Sequence, residues 1–117
     1  MAMQTGWFDL VLDAGATELV QVSLHTADPG VTGASELSGA PYARKTATWD
    51  PASGGTLPTA AAILFDVPGG NTVRWAGLWA ADGTTWRGGL PLSTEEPYGS
   101  DGTYSLDTIE LTMANAA

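Results

Sequence analysis

Cysteine is absent from this 117-residue chain, which excludes disulfides, thiolate metal sites and thiol catalysis. No apolar run approaches the roughly 20 residues that a membrane-spanning helix needs. Residues 1–5 lack the basic start and apolar stretch of a signal peptide. We therefore expect a soluble protein that is made in a cytoplasm.

Positive charge is scarce, with 4 basic against 13 acidic side chains and a formal charge of −9. Such a surface repels phosphate backbones and anionic lipids, so neither nucleic acid nor membrane is expected as a partner. It suits docking onto a basic patch of another protein. Only 15% of residues are charged, below the roughly 25% of average domains. Two explanations are open for this low fraction: either other subunits cover part of the surface, or Thr, Ser and Gly replace charged residues there.

Turn-forming residues and large aromatics are abundant, with 15 Gly, 7 Pro and 5 Trp. Period-two alternation predicts about seven short strands, near residues 19–24, 42–49, 61–67, 72–80, 84–92, 102–106 and 108–114. The polar residues 93–101 are predicted as a loop. Turn signals at roughly 8–12-residue spacing are typical of a sandwich. We predict an all-β, antiparallel β-sandwich in a single domain over residues 1–117, with a small antiparallel barrel as the alternative.

The N-terminal segment, residues 1–18, contains a helical pattern. The helical spacing i, i+3, i+4, i+7 is shared by Trp7, Leu10, Val11 and Ala14. Thr5 is the expected cap and Gly15 the expected end. Alternating Phe8, Leu10 and Leu12 make a strand the alternative to a short helix. Residues 25–41 are predicted to form a long surface loop, because they are rich in glycine and serine and lack a period.

The single histidine, His25, is the one residue suited to acid–base catalysis near neutral pH. A hydrolase would need Ser23 or Ser35 as its nucleophile and Asp28 as its carboxylate. The spacing gives no support to such a triad. We expect His25 to lie at a strand end and to bond a turn carbonyl.

Carboxylates next to glycine or proline suggest turns more than metal ligands. This group comprises Asp28, Asp50, Asp82 and Asp101. Their spacing does not match a calcium loop, and Asx-turns are the usual role of Asp in such places. A zinc site would need three or four His, Cys or carboxylate ligands, and the chain offers one histidine and no cysteine. Glu95 and Glu96 are expected to keep a polar loop solvated. Because none of these candidate sites has a supporting pattern, we predict no cofactor, no metal and no enzymatic activity.

Tryptophans fall into two groups by strand position. Trp75, Trp79 and Trp86 are expected to face inward and pack in the core, with a sugar-binding groove as the alternative. Trp7 and Trp49 are candidates for an exposed interface. The arginines Arg44, Arg74 and Arg87 are expected to pair with Asp or Glu. Contact with an acidic strip on a partner is the alternative role for them.

Two stretches carry a resemblance to a known family. The first contains SLHTADPG at 23–30, TGA at 32–34 and YAR at 42–44, and the second contains GLWAADGT at 77–84 and GGL at 88–90. They resemble a family of small virion proteins from tailed phages of actinobacteria and relatives. Pro41 stands where that family usually has glycine or serine. The resemblance implies a short N-terminal helix, a β-rich C-terminal part and no catalytic residues.

A virion location, after assembly in the host cytoplasm, is what the resemblance implies. We expect a capsid decoration, or minor capsid, protein that stabilises the outer face of the shell and binds the major capsid protein or copies of itself. A tail-fibre or baseplate component bound to tail proteins is the first alternative, and a carbohydrate-binding module for host attachment is the second. The expected contact residues are Trp7, Phe8, His25, Asp28, Pro29, Tyr42, Arg44 and Trp49.

Overall fold

One helix precedes eight strands in the computed structural model of the chain, which describes residues 4–113. The elements are α1 (Thr5–Ala16), β1 (Gln21–His25), β2 (Lys45–Thr46), β3 (Thr56–Pro58), β4 (Ile63–Val67), β5 (Asn71–Trp79), β6 (Trp86–Tyr98), β7 (Gly102–Leu106) and β8 (Glu110–Thr112). All strand pairs are antiparallel. The predicted antiparallel β-sandwich with a short N-terminal helix is confirmed, with eight strands in place of about seven.

Three sheets share these strands. The largest has the order β2-β1-β5-β6, and the two-stranded sheets are β4-β7 and β3-β8. The core lies between the large sheet and β4-β7. Its buried members from β1, β4 and β5 are Val22, Leu24, Ile63, Phe65, Val67, Val73, Ala76 and Leu78. In β4 the burial alternates strictly, as the period-two pattern predicts.

A register shift in β5 changes which side chains share a face. The shift lies between Val73 and Trp75, where the ladder with β6 is interrupted. Val73 therefore joins Ala76 in the core. Strict alternation along residues 72–80 predicts one common face for Val73, Trp75 and Trp79. That prediction is wrong, because Trp75 and Trp79 face the opposite side. The physical reason is that a bulge reverses the alternation beyond it.

The loop between β1 and β2, residues 26–44, covers the outer face of the large sheet and is called the covering loop below. Its backbone extends the β1 ladder, because Thr26 N donates to Ser35 O and Leu37 N donates to Leu24 O. Pro29 within the loop is buried, and its ring lies against Gly89 of β6. The loop predicted at 25–41 differs in its bounds, because His25 belongs to β1 and residues 42–44 to the covering loop, and it packs against the sheet.

The largest departures from the predicted strands are at residues 42–49, 56–58 and 93–101. The strand expected at 42–49 is reduced to β2, because residues 42–44 belong to the covering loop. The three-residue β3 was not predicted, since its pairing depends on β8, more than 50 residues away in the chain. The loop predicted at 93–101 is instead mostly part of β6, which reaches Tyr98. Residues 93–97 are polar because they are exposed, not because they are irregular.

Helix α1 packs against β3 and the turn before it. Phe8 and Leu12 are its buried residues, and Gln4 is its N-cap without a side-chain cap bond. Thr5 and Gly15 lie within the helix, so the predicted cap and end are wrong. Asp9 accepts a hydrogen bond from Gly55 N and fixes the rotation of the helix. Within residues 4–113, no helix has the length and apolarity to cross a bilayer.

Candidate interaction surface and the His25 cluster

His25 lies in a buried chain of hydrogen bonds on the covered face of the large sheet. Its Nδ1 is 2.8 Å from Ala34 O, and its Nε2 is 2.7 Å from Ser23 Oγ. A carbonyl accepts only, so Nδ1 carries the proton and Nε2 accepts from the Ser23 hydroxyl. Ser23 Oγ in turn accepts from Trp79 Nε1 at 2.8 Å. The expected bond from His25 to a loop carbonyl is therefore confirmed.

The Ser23–His25 pair has the spacing of a nucleophile and its base but not the setting. Both side chains are fully buried. The group that orients the imidazole is the Ala34 carbonyl and not a carboxylate. Asp28 accepts from Gly30 N in a turn. A buried hydroxyl that also accepts from Trp79 Nε1 has no path to a substrate, so this cluster holds the covering loop in place.

Arg44 joins the covering loop to the β5–β6 turn. Its guanidinium donates twice to Glu36, from Nε at 2.9 Å and from Nη2 at 2.8 Å, which is the strongest geometry for such a pair. Its Nη1 donates to Gly83 O at 2.6 Å. The same group lies 3.9 Å from the centre of the Trp79 ring. Through these contacts Arg44 holds the covering loop against the β5–β6 turn.

Tyr42 contacts the Glu36 carboxylate from the side of the main core. Its hydroxyl donates to Glu36 Oε2 at 2.8 Å and accepts from Leu24 N at 3.1 Å. Burial raises the pKa of the Tyr42 phenol, so the hydroxyl keeps its proton and remains a donor. Burial alone would raise the pKa of Glu36, but hydrogen bonds from Arg44 and Tyr42 outweigh it and lower that pKa. Glu36 is therefore a carboxylate at neutral pH.

Of the remaining tryptophans, Trp86 packs edge-on to Trp79, with ring centres 5.0 Å apart, and also against His25. Trp79 is buried, as predicted, and Trp86 is half-buried. Trp49 is half-buried too, and its Nε1 donates to Leu19 O. The rings of His25, Trp79 and Trp86 thus form an aromatic cluster at the centre of a second, smaller core.

Several acidic side chains in the described part of the chain bond turns or arginines. Asp82 accepts from Thr84 N, Thr85 N and Thr85 Oγ1, and the hydroxyl and amide donors lower its pKa to about 2. The predicted arginine pairs are present, with Arg44–Glu36, Arg74–Glu95 and Arg87–Glu18 at 2.8, 3.1 and 2.7 Å. Among residues 4–113, no three His, Asp or Glu side chains converge on a metal site.

A groove of about 390 Å³ lies between β6 and the segment that connects β7 to β8. Leu90, Leu92, Tyr104 and Ile109 are among its walls, with Asp107 and Glu110 also lining it. Burial raises the pKa of the Tyr104 phenol, and nearby carboxylates add to the effect. The groove therefore presents a Tyr104 phenol that keeps its proton, near the Asp107 and Glu110 carboxylates.

The side of α1 that faces away from β3 is apolar. Trp7, Leu10 and Val11 are 48%, 62% and 36% exposed, and Ala14 beside them is also exposed. These four residues form the outer face of α1. The helical spacing predicted for them is present, and they are exposed because Phe8 and Leu12 are the residues that α1 buries. The i, i+4 pair Phe8 and Leu12 was the available signal that the helix is apolar on two sides.

The eight residues expected at an interface are divided by the fold. Trp7 is exposed on α1, and Asp28 is exposed on the covering loop. Tyr42, Arg44 and Trp49 are half-buried and committed to the internal hydrogen bonds described above. The remaining three, Phe8, His25 and Pro29, are buried within the chain. Leu10 and Val11 were missed as surface residues.

Acid should destabilise the fold through His25. Burial lowers the pKa of its imidazole below the ordinary 6.5. The unfolded chain therefore binds a proton that the folded chain refuses, and stability is lost as pH falls below 6.5. We expect the free energy of unfolding from urea titrations to fall by up to about 1.4 kcal/mol per pH unit between pH 6.5 and 5. The lowered pKa of Glu36 adds a further loss below about pH 4.5.

The matched variant is His25→Gln, which cannot titrate. His25 is the one histidine of the chain, so the variant should be less stable at pH 7 and nearly flat between pH 6.5 and 5. An equal slope in both proteins would show that another group titrates in this range.

One family model matches most of the chain. A family model described as podophage GP4 fiber I protein gp80 matches residues 9–114. The matched range includes the covering loop, the His25 cluster and most of α1. No curated protein and no solved structure matches.

Proposed function

Because the chain belongs to the family of the podophage GP4 fiber I protein gp80, we propose that it is a subunit of a phage tail fibre. The family consists of phage fiber proteins, which are structural and not enzymes, so the chain is a structural protein of the virion. We propose that it acts by adhesion to neighbouring virion subunits. The family match over residues 9–114 carries this proposal.

The geometry agrees with a role in adhesion. The large sheet is packed on both faces, by the main core on one and by the covering loop on the other, and the candidate catalytic pair Ser23–His25 is committed to the second. An apolar side of α1 stays exposed on the surface. The 51 × 27 × 24 Å extents describe an elongated subunit, which suits serial packing along a fibre.

The capsid-decoration expectation receives no specific support from the match, which favours the tail-fibre alternative. The carbohydrate-binding alternative is weakened by Trp49, whose indole is half-buried and bonded to Leu19 O. Exposed Trp7 alone gives a sugar one stacking surface without converging polar groups.

Copy number separates fibre from decoration. Phage particles would be divided into heads and tails, and the chain quantified in each fraction by mass spectrometry against an isotope-labelled standard. We expect the chain in the tail fraction, at far fewer copies than the coat protein. Enrichment on heads, at a copy number comparable to that of the coat protein, would support decoration and contradict the fibre assignment.

A further inference from the structure

We propose that the outer face of α1 docks into an apolar groove, rimmed by Lys or Arg side chains, on a different protein of the phage particle. The inference rests on the proposed function, since it names the kind of partner that a fibre subunit would contact. Four features of α1 lead to it: its apolarity, its anchoring, its charge and its size.

Exposed large hydrophobic residues are concentrated on α1. Five such residues are exposed in the described chain, and three of them share the outer face of α1. The other two, Val31 and Leu64, lie on separate elements. Single exposed apolar residues are ordinary, whereas a contiguous patch marks a contact surface. A helix that is apolar on two sides is normally covered on both.

The inner side of α1 is fixed, so the outer face is presented rigidly. Phe8 and Leu12 are buried against the fold. Asp9 Oδ1 accepts from Gly55 N at 2.8 Å, and Asp13 Oδ1 accepts from Ala52 N at 2.7 Å. A preformed helix with apolar residues at i, i+3, i+4 and i+7 is the element that binds in a groove, and its ordering cost is already met.

Charge points to a basic rim. Helix α1 contains no Lys or Arg. Its Asp9 and Asp13 carboxylates bond the inner side and Glu18 pairs with Arg87, so the attraction to a basic rim comes from the net charge of the whole chain. The whole chain carries −9, and three of its four basic residues already pair with carboxylates. A second copy would bring the same negative charge to the contact, whereas Lys or Arg side chains around a groove would attract it.

Size also favours a groove over a second copy. A 12-residue helix is about 18 Å long and 10 Å wide, so one face covers roughly 200 Å². A stable interface buries roughly 800 Å² on each partner. Two helices that meet along flat faces fall well short of this area. A groove encloses the sides of the helix as well as its face and removes more apolar area from water.

Cross-linking in the assembled particle tests the partner directly. A photoreactive benzoyl-phenylalanine would replace Leu10, the particles would be irradiated, and the joined peptides would be identified by mass spectrometry. We expect an adduct with a peptide of a different virion protein that has Lys or Arg nearby in its sequence. An adduct with a second copy, or with another part of the same chain, would overturn the proposal.

Incorporation of variants tests the chemistry of the groove. Leu10→Ser should lower incorporation into particles at least about tenfold, while Leu64→Ser, at a similarly exposed leucine on β4, should stay near wild type. At exposed Ala14, the change to Lys should reduce incorporation more than the change to Glu, because Lys adds repulsion from the basic rim to the cost of a charge at the groove. Thermal melting of each purified variant would show that the fold is intact.

The outcomes separate the two proposals. Wild-type incorporation of Leu10→Ser, or a stronger loss from Ala14→Glu than from Ala14→Lys, would overturn the docking inference and leave the fibre assignment standing. Absence of the unmodified chain from particle tails would contradict the fibre assignment, and the docking inference with it.

Discussion

The change Gly77→Ala should lower the free energy of unfolding by about 3 kcal/mol, at the upper end of overpacking effects. A Cβ at this position of β5 would lie 2.5 Å from both His25 Nε2 and Ser23 Oγ and 2.6 Å from the Trp86 ring. His25 and Ser23 are fully buried, so neither can move into solvent. Relief of the clash must break their hydrogen bond or lift the covering loop. Urea unfolding followed by tryptophan fluorescence measures the loss.

Gly99→Ala is the matched control for this change. Gly99 lies in the β6–β7 turn, has no atom within 4 Å of an added Cβ and does not need a left-handed backbone. Its substitution should change stability by less than about 0.5 kcal/mol. If Gly77→Ala proved as stable as Gly99→Ala, the close packing of the Ser23–His25 pair on β5 would be contradicted.

Local alternation was sufficient to predict the strands that contribute to the main core. In β4, Ile63, Phe65 and Val67 are buried and the residues between them are exposed, as the period-two pattern requires. The pattern fails where pairing is long-range or interrupted. The three-residue β3 has no pattern of its own, and the register shift after Val73 reverses the faces of β5. Neither feature has a local signal.

The candidate site was predicted in part. The bond between His25 and a loop carbonyl follows from one histidine at a strand end, but the fold alone brings Ala34 and Trp79 to it. The helix was predicted, but which of its faces is buried was not. Hydrophobic periodicity finds an apolar stripe, and α1 has two, so hydrogen bonds that Asp9 and Asp13 accept from Gly55 N and Ala52 N decide which one is buried.

The change Phe65→Ala should lower the free energy of unfolding by about 3–5 kcal/mol. Phe65 on β4 has no exposed surface and belongs to the main core. Its ring is stacked 6.4 Å from that of Tyr42, at 17° between planes. The loss therefore removes buried apolar contacts and the support on which Tyr42 rests. Chemical denaturation measures the stability, and hydrogen exchange of residues 26–44 measures the loop.

Leu64→Ala is the control on the same strand, since Leu64 is 59% exposed and its loss should cost well under 1 kcal/mol. Tyr42 holds Glu36, which in turn holds Arg44, so the cavity left by Phe65→Ala should also speed hydrogen exchange in the covering loop. Large destabilisation with unchanged protection of that loop relative to global stability would mean that the two cores are independent. Coupled loss would mean that the stacked Tyr42–Phe65 pair joins them into one cooperative unit.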